Sequence, residues 1–576
     1  MYGFLVCNKM EIYDSLVSKF SHYLTWERYS FFYNPLPKFE DDHIFSECEG
    51  DLILLDGVIT NKGELMKNNP GLSWTEVFHT LYKLYGKDVV DQLRGSFCGI
   101  IGDKNQNKLI AFTDQIGSKV VLFSKYSTNL LIASHMSLIR EISRLDKNYK
   151  LTFCEDSMYE MLITESILGD KTLFNEVKRI TSGKRLICDS DGIHIETYHV
   201  FRNVPEHDMT IEECIDKADI LFRNAVDRIF HKNIEYGYHH ECDLSGGLDS
   251  RMCTWVAHDL GYKNIINVCY SIENSLDNKI SKKISKDLGN KYFFLPMDEH
   301  IVSDSIDERA QLNSGLVSYL ISTGGYEAIE QITKENNIGI CCTGLLGEIQ
   351  NAYWTEGKRH TPAKYITNPA TTFIKIHMDD ELSNQYDNFE QMNLYEYSCK
   401  TFLLSGLVRQ QKAEVLSPFW DTDYLDFIYR VPLKWRKDYG FIQKYMCTKY
   451  PKAADYVWQT YRMPVINHYE NRIYFPKILG DVRRCLTRVL NKLFRMINIS
   501  KALTYTDDMN PFQAWYINSG LLRKRINDYF EQTIDCVPEG RLKDDLKRMF
   551  NESKIAMDKF LVVNVLSIYK QFGDNI

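Results

Sequence analysis

The sequence predicts an α/β protein with a β-rich first part, a parallel sheet after it and helices at the end. Up to about residue 200, short apolar runs alternate with turn formers, which is typical of β-strands. Between about residues 210 and 342, segments with strand and helix patterns alternate. That alternation favours a doubly wound parallel sheet with helices on both faces. After about residue 390 the pattern is mostly helical.

The β-rich part contains six apolar runs that we interpret as strands, at residues 3–7, 52–55, 98–102, 109–112, 130–133 and 184–188. Turn formers such as residues 61–63 and 189–192 bound them. A chain of 576 residues favours more than one domain. Residues 202–207 are the best candidate boundary, so we expect domains over residues 1–205 and 206–576.

The second part is predicted as alternating elements. In order these are a helix at 211–230, a strand ending at Leu244, a helix at 249–260, a strand at 264–270, a helix at 277–288, a strand at 291–295, a helix at 325–334 and a strand at 338–342. Ligands of such sheets collect at the carboxyl ends of the strands.

Composition excludes several classes of protein. The net charge of −8 gives no general attraction to nucleic acid or anionic membranes. The 15 cysteines show no C-x-x-C spacing, which favours a reduced, cytoplasmic compartment over a disulfide framework or a zinc site. No signal peptide is evident and no apolar run is long enough to cross a membrane.

One stretch combines basic and apolar residues. Residues 482–499 hold five basic residues among leucines and valines. The favoured interpretation is a helix with a basic outer face whose apolar side packs on the domain. A helix lying on a membrane surface is the alternative.

Residues 242–251, Cys-Asp-Leu-Ser-Gly-Gly-Leu-Asp-Ser-Arg, carry the strongest functional signal. A strand turns through two glycines into a helix, so backbone N–H groups and the helix dipole can bind a phosphate. The turn lacks the lysine of a Walker A loop and the spacing of a dinucleotide fingerprint. An acid among phosphate-binding groups indicates a Mg²⁺-linked or structural role for Asp249. The expected phosphate-binding residues are Ser245, Gly246, Gly247, Asp249 and Ser250.

This turn resembles the pyrophosphate loop (PP-loop) of ATP pyrophosphatases, and the chain as a whole resembles asparagine synthetases. The matching stretches, in order, are residues 56–61 (Asp-Gly-Val-Ile-Thr-Asn), 93–97 (Leu-Arg-Gly-Ser-Phe), 113–119 (Thr-Asp-Gln-Ile-Gly-Ser-Lys), 172–174, 182–183, 245–250 and 414–421 (Glu-Val-Leu-Ser-Pro-Phe-Trp-Asp). Each match is short, and their common order gives them weight. The resemblance implies an N-terminal Ntn-type αββα sandwich, glutaminase-like, followed by a PP-loop synthetase domain with a helical C-terminal extension.

The glutaminase-like half departs from the family pattern at its reactive positions. Tyr2 stands where the family has a nucleophilic cysteine, Asp56 replaces the asparagine of the oxyanion hole, and Trp74 replaces an acid that binds the glutamine amine. The loss of one oxyanion donor costs about 10²–10³ in rate. We expect this domain not to hydrolyse glutamine. Cys7 is the alternative nucleophile, and it lies within the first predicted strand.

The synthetase half is better preserved. Residues 343–348 (Thr-Gly-Leu-Leu-Gly-Glu) resemble a second phosphate-side loop, in which Leu345 replaces one acid. In this loop Gly347 and Glu348 are expected to border the site on the side of the metal ion. Asp249 and Glu348 are expected to bind Mg²⁺. Asp277 resembles an acid near the nucleotide loop, with a helix-capping role as the alternative.

Two cations and one strand complete the site that the resemblance implies. Lys444, in residues 440–445, corresponds to a lysine that stabilises charge at the α-phosphate, so it is a catalytic candidate together with Glu348. Arg462 is a second candidate cation. The backbone near residues 268–270 is expected to meet adenine.

These observations predict an ATP-dependent amide-forming ligase, with ATP and Mg²⁺ as cofactors. A small-molecule or peptide carboxylate is adenylated and then transferred to an amine or ammonia. The alternatives are asparagine synthesis from aspartate with ammonia, and a non-catalytic binding protein that kept the fold. A nucleic-acid partner is not expected, and a homodimer is left open.

Overall fold

The computed structural model of the chain describes residues 2–8, 14–204, 208–351, 382, 385–469, 475–496, 501–504 and 509–573. The first part contains twelve strands within these ranges. They are β1 Gly3–Asn8, β2 His22–Trp26, β3 Tyr29–Asn34, β4 Ile44–Cys48, β5 Asp51–Ile59, β6 Gly95–Asp103, β7 Lys108–Thr113, β8 Leu122–Tyr126, β9 Asn129–Ala133, β10 Lys178–Arg179, β11 Lys184–Asp189 and β12 Gly192–Thr197.

The twelve strands form two antiparallel six-stranded sheets that pack face to face. Their orders are β10-β8-β9-β1-β3-β2 and β12-β11-β7-β6-β5-β4. Alternate residues of each strand point into the space between them, for example Phe4 and Val6 of β1 opposite Leu52 and Leu54 of β5. All six predicted runs are strands, and the αββα sandwich is confirmed.

Helices cover both outer faces of this sandwich. The chain's helices, in order, are α1 Asp14–Val17, α2 Lys62–Lys67, α3 Trp74–Tyr85, α4 Met136–Leu145, α5 Glu155–Thr164, α6 Ile211–Glu235, α7 Asp249–Asp259, α8 Leu276–Asp287, α9 His300–Ser303, α10 Ile306–Leu312, α11 Gly325–Ile332, α12 Phe389–Met392, α13 Thr422–Ile428, α14 Leu433–Arg436, α15 Gly440–Lys449, α16 Pro451–Ala454, α17 Val465–Tyr469, α18 Phe475–Met496, α19 Phe512–Asn518, α20 Gly520–Thr533, α21 Arg541–Glu552 and α22 Ala556–Phe572. Helix α3 packs on the second sheet. Helices α4, α5 and α20 to α22 share a core with the first sheet.

A five-stranded parallel sheet forms the centre of the second part. Its strands are β13 His239–Asp243, β14 Ile266–Ser271, β15 Lys291–Pro296, β16 Ile338–Cys342 and β17 Glu414–Leu416. The order β15-β14-β13-β16-β17 puts β13 in the middle, and all four strand pairs are parallel. The next two strands in sequence, β14 and β15, lie on one side of β13, and the last two, β16 and β17, lie on the other. The crevice at the carboxyl end of β13 is therefore a topological switch point. The predicted doubly wound sheet is confirmed, with β17 as an additional strand.

Between Met392 and Lys412 the chain is helical but not regular α-helix. Asn393–Phe402 is π-helical and Leu403–Gln411 is a 3₁₀ helix. Such irregular helices occur often at functional sites. Here they pass beside the carboxyl end of the parallel sheet.

Buried ion pairs connect the two parts of the chain. Lys232 of α6 contacts Asp42 at 2.9 Å, with both side chains fully buried, and Lys119 contacts Glu414 at 2.8 Å. Phe39 and Val58 of the first part lie in the core of the second. Residues 205–207, where we placed the boundary, lie outside the described residues, so the domain limits stay a prediction.

The favoured interpretation of residues 482–499, with the apolar side packed on the domain, is wrong for helix α18. Its large apolar side chains, Leu486 and Val489 among them, are exposed instead of packed on the domain. The reason is that its polar side makes the contacts with the protein. Residues 497–499 lie outside the described ranges. Among the helices that the structure describes, none combines the length and the apolar character needed to cross a membrane.

Candidate active site

A cavity of about 710 Å³ opens at the carboxyl ends of β13, β14 and β16. Its walls come from the turn after β13, the end of β14, the loop after β16 and the π-helical segment. Met509 and Phe512 close it from the C-terminal region. This is where a doubly wound sheet is expected to bind a ligand.

The Ser-Gly-Gly turn forms one wall, and its backbone N–H groups are held by neighbouring side chains. The Ser245 N–H donates to the Ser250 hydroxyl at 3.0 Å, and the Gly247 N–H donates to the Ser245 hydroxyl at 3.2 Å. Helix α7 begins at Asp249, directly after the turn. Hydroxyl groups, N–H groups and a helix N-terminus therefore meet at one point, as a phosphate site requires.

Two contacts fix the turn from behind. The Gly246 N–H donates to Asp277 Oδ1 at 2.8 Å. Arg251, fully buried, donates to the Gly246 carbonyl and to three carbonyls of residues 453–457. Asp277 therefore contacts the Ser-Gly-Gly turn, while Ser275 caps the helix α8.

The loop after β16 packs closely on this turn. A Cβ atom at Gly344 would lie 2.6 Å from the Ser250 nitrogen, and one at Gly347 would lie 2.3 Å from Asp249 Cγ. No side chain fits at either position. The close approach brings Glu348 opposite Asp249, so the structure unites the two predicted metal ligands and all the predicted phosphate-binding residues.

Asp249 and Glu348 form a pair of like charges with few hydrogen bonds. Asp249 Oδ1 accepts none from the described residues, and Glu348 accepts one from the Ser398 hydroxyl at 3.3 Å. Burial, with the charge of Glu348, raises the pKa of Asp249 to about 7, and burial raises the pKa of Glu348. A divalent cation between them would offset both charges.

This donor set fits Mg²⁺. In proteins Mg²⁺ is usually held by one or two carboxylates, with phosphates and water completing its shell. Among the described residues there is no group of three or more histidines, cysteines or acids that could hold a metal alone. Two carboxylates beside a phosphate-binding turn are therefore the expected arrangement for Mg²⁺ with a nucleotide.

The structure places Lys444 elsewhere. Its ammonium group lies 2.5 Å from the Glu212 carboxylate of α6, and it does not line the cavity. Position 444 faces α6 because its neighbours Ile442 and Tyr445 point into the core. In this arrangement Lys444 is paired outside the cavity, and its contact with phosphate stays a prediction.

Arg462 also lies outside the cavity lining, with its guanidinium group against Gly480 of α18. Val268, Cys269 and Tyr270 do line the cavity, where we expected adenine.

The cavity wall is strongly acidic. Its described acids are Glu165, Asp243, Asp249, Asp277 and Glu348, and its only described Lys or Arg is Arg409. Arg409 is engaged already, because its guanidinium makes two hydrogen bonds to Asp243, at 2.9 and 3.0 Å. A polyphosphate would meet repulsion here unless a metal ion accompanied it.

Glu165 is a cavity residue that sequence reasoning missed. It follows α5 in the first part of the chain, in a left-handed conformation at φ 63°. Its carboxylate lines the cavity and makes no hydrogen bond or ion pair with the described residues, and burial raises its pKa to about 7. No local pattern marks it, because it reaches the cavity only through the packing of the two parts.

The position of the expected glutaminase site is closed. A cavity of about 60 Å³, lined by Tyr2, Asp56, Cys98 and Lys119 among others, has room for a few water molecules. The Tyr33 hydroxyl donates to Asp56 at 2.7 Å, and Lys119 is bound to Glu414. Asp56 and Lys119 are therefore each paired, whereas His135 Nε2 on the same lining has no partner among the described residues.

Trp74, which replaces the acid, and Cys7, the alternative nucleophile, both have structural positions. Trp74 is buried at the start of α3 and donates to the Asp42 carbonyl at 2.9 Å, while Ser73 and Glu76 form a capping box. Cys7 faces the helices that cover the first sheet, whereas Tyr33, the partner of Asp56, lies in the core on the other face. Cys7 thus cannot take over as nucleophile without a rearrangement of β1.

Comparison with known proteins agrees with this architecture. Residues 43–199 match the family described as glutamine amidotransferase domain. A glutamine-hydrolysing asparagine synthetase of Bacillus subtilis is 23% identical over 224 residues, which are 37% of this chain and 33% of that protein. An amidase of Gibberella zeae, chry2, is 31% identical over 119 residues, 20% of this chain and 16% of that protein.

A second amidase, chyE of Penicillium rubens, is 24% identical over 194 residues, 33% of this chain and 27% of that protein. The chain thus matches between 16% and 33% of the length of these three relatives. A solved glutamine phosphoribosylpyrophosphate amidotransferase from B. subtilis covers 51% of this chain and 84% of its own, at 11% identity and a TM-score of 0.23, too low to carry an argument. At the level of the family the relatives are enzymes, amidases and an asparagine synthetase.

Proposed function

From its similarity to the asparagine synthetases at low identity, we propose that this chain is an ATP-dependent amide-forming ligase. It activates a carboxylate as an adenylate and transfers the acyl group to an amine. The observation that carries the proposal is the Asp249–Glu348 pair, which faces the Ser-Gly-Gly turn at the carboxyl end of the central strand. Two carboxylates that lie close together, one of them with an oxygen that accepts no hydrogen bond, repel each other unless a cation lies between them. This pair therefore supports a metal site.

The first step joins the carboxylate to the nucleotide. A carboxylate oxygen attacks the α-phosphorus of ATP, the bond to the bridging oxygen of the β-phosphate breaks, and pyrophosphate leaves. Ser245 and Ser250 would hold the departing phosphates through their hydroxyl groups, with Gly247 leaving room for the phosphates at the N-terminus of α7. Mg²⁺, when bound by Asp249 and Glu348, supplies positive charge to the leaving group.

The second step forms the amide. The amine nitrogen attacks the acyl carbon, AMP leaves, and the nitrogen gives up a proton. Glu165 supports an organic amine as the substrate, because a partly buried carboxylate without a partner among the described residues is stabilised by an ammonium group. The acidic cavity as a whole favours a substrate whose amine end is cationic.

Glutamine is not the proposed nitrogen source. The cavity at Asp56 is too small for the amino acid, Trp74 is a core residue, and Tyr2 offers no thiol. An amine carried by the substrate or free ammonia must then supply the nitrogen. Steady release of glutamate from glutamine by the purified chain would contradict this part of the proposal.

The test is carboxylate-dependent exchange of labelled pyrophosphate into ATP by the full chain with MgCl₂. A panel of carboxylates that includes aspartate, each assayed alone and then with ammonium or organic amines, identifies both substrates through AMP formation. Exchange with one carboxylate class supports the ligase. Asparagine formed from aspartate and ammonium identifies the first alternative. Tight ATP binding with no exchange for any acid contradicts the ligase and favours a binding protein.

A further inference from the structure

Helix α18, Phe475–Met496, carries a continuous apolar stripe that is open to solvent. Its members lie three or four residues apart and share one face of the helix. We call this set the α18 stripe: Phe475, Ile478, Leu479, Val482, Leu486, Val489, Leu490 and Leu493, each between 41% and 65% exposed. The largest exposed apolar patch on a typical monomer, about 300–600 Å², is often functional, and eight large apolar side chains in one row form such a patch.

The helix is attached to the protein by its other face. Gly480 lies against the guanidinium of Arg462, where a Cβ atom would come within 2.5 Å. The Asn491 amide exchanges two hydrogen bonds with the backbone of Leu503, at 2.8 and 3.0 Å. At 3.6 residues per turn, positions 480 and 491 lie nearly opposite the middle of the α18 stripe. The stripe therefore points away from the protein.

Basic residues accompany the stripe. Residues 475–496 contain six lysines and arginines and one acid, Asp481, although the chain as a whole carries a net charge of −8. Arg483 and Lys492 fall on the two edges of the apolar face. Positive charges beside an apolar face suit a surface that is apolar inside and anionic outside.

We propose that α18 lies flat in the headgroup region of an anionic membrane, with the α18 stripe among the acyl chains and the basic residues at its edges, Arg483 and Lys492, on the lipid phosphates. A helix of 22 residues spans about 33 Å along its axis. A second copy of the chain is a poorer occupant, because pairing two stripes would bring their basic edges together. This proposal does not depend on the ligase activity.

The test is sedimentation of the full chain with large vesicles of phosphatidylcholine, with and without 30% phosphatidylglycerol. We expect partitioning onto the anionic vesicles to exceed that onto neutral ones by about tenfold or more and to fall as salt is raised. Leu486→Glu with Leu490→Glu should lower it by about tenfold or more. Leu84→Glu with Leu521→Glu changes exposed leucines elsewhere and should leave partitioning unchanged.

A second signal comes from Cys485, which is exposed on α18, unlike the other described cysteines. An environment-sensitive dye on it should shift to the blue with anionic vesicles in the wild type and not in the Leu486→Glu, Leu490→Glu variant. The proposal is wrong if the wild type stays in the supernatant with anionic vesicles, or if the stripe variant sediments as the wild type does. It is also wrong if the wild type is a dimer that the stripe variant splits, with no vesicle binding.

Discussion

Two cavities of this protein differ in how their carboxylates are satisfied. At the first, Asp56 accepts from Tyr33, Lys119 binds Glu414, and about 60 Å³ remains. At the second, Asp249 Oδ1 and the Glu165 carboxylate accept no hydrogen bond from the described residues, and about 710 Å³ is open. Buried polar groups are costly unless they are paired. A site that has lost its ligand can pair its own groups, whereas a site in use leaves them for the ligand.

The largest effect should follow removal of either carboxylate of the metal pair. We expect Asp249→Asn and Glu348→Gln each to lower carboxylate-dependent pyrophosphate exchange by about 100-fold or more, the size of loss seen when a charge-stabilising group is removed. Glu273→Gln is the matched control, because Glu273 is exposed on the neighbouring loop. Unchanged exchange in both carboxylate variants would place the metal elsewhere.

Removal of Mg²⁺ should weaken nucleotide binding. The described cavity wall has five acids and one arginine, and that arginine is bound to Asp243. We expect chelation with EDTA to weaken ATP binding by about tenfold or more in calorimetry, because phosphates without a metal meet the acids directly. Equal affinity for ATP with and without Mg²⁺ would mean that lysine or arginine side chains outside the described ranges bind the phosphates.

Glu165 should make stability depend on pH. Its folded pKa of about 7 is above the ordinary 4.5, so the unfolded state releases this proton more readily. The free energy of unfolding of the wild type should fall by up to about 3 kcal/mol as pH rises from about 4.5 to 7. Above pH 7 it should fall no further on account of this group. Glu165→Gln should therefore gain stability over the wild type at pH 8 and little at pH 5, in urea denaturation at both values.

The exposed Glu47 provides the control, since Glu47→Gln should leave the difference between the two pH values unchanged. If Glu165→Gln gains the same stability at pH 5 and pH 8, the carboxylate is not held unpaired in the cavity. A cationic amine substrate that stabilises the wild type more than Glu165→Gln would support the amine site.

The smallest effect is expected for Lys444→Ala. Since Lys444 pairs with Glu212 and does not line the cavity, we expect exchange to change by less than about threefold, within the range of a surface ion pair. Glu212→Gln should also change pyrophosphate exchange by less than about threefold. A loss above 100-fold in Lys444→Ala alone would show that helix α15 moves to bring this lysine to the nucleotide.

Much of the fold was predictable because its signals are local. The alternation of residues 238–342 predicted four of the five parallel strands, and residues 245–250 were predicted as the turn that leads into helix α7. Strand β17 was missed because three residues are too few to show a period. Lys444 was predicted as a site residue, but which side of helix α15 faces the cavity depends on packing against α6.

The same limit explains the missed site residues. Glu165 and Arg409 lie 244 positions apart and reach one cavity from different parts of the chain, so no spacing relates them. The apolar period of α18 was visible, but its direction was not, because contacts at Gly480 and Asn491 decide it.

The most direct test of the account is a crystal structure of the full chain with MgCl₂ and α,β-methylene ATP, which cannot release pyrophosphate, grown with excess glutamine. The account predicts the β- and γ-phosphates at residues 245–250, a metal ion between Asp249 and Glu348, and no glutamine at Asp56. Phosphates bound away from this turn, or glutamine seated beside Asp56, would contradict it.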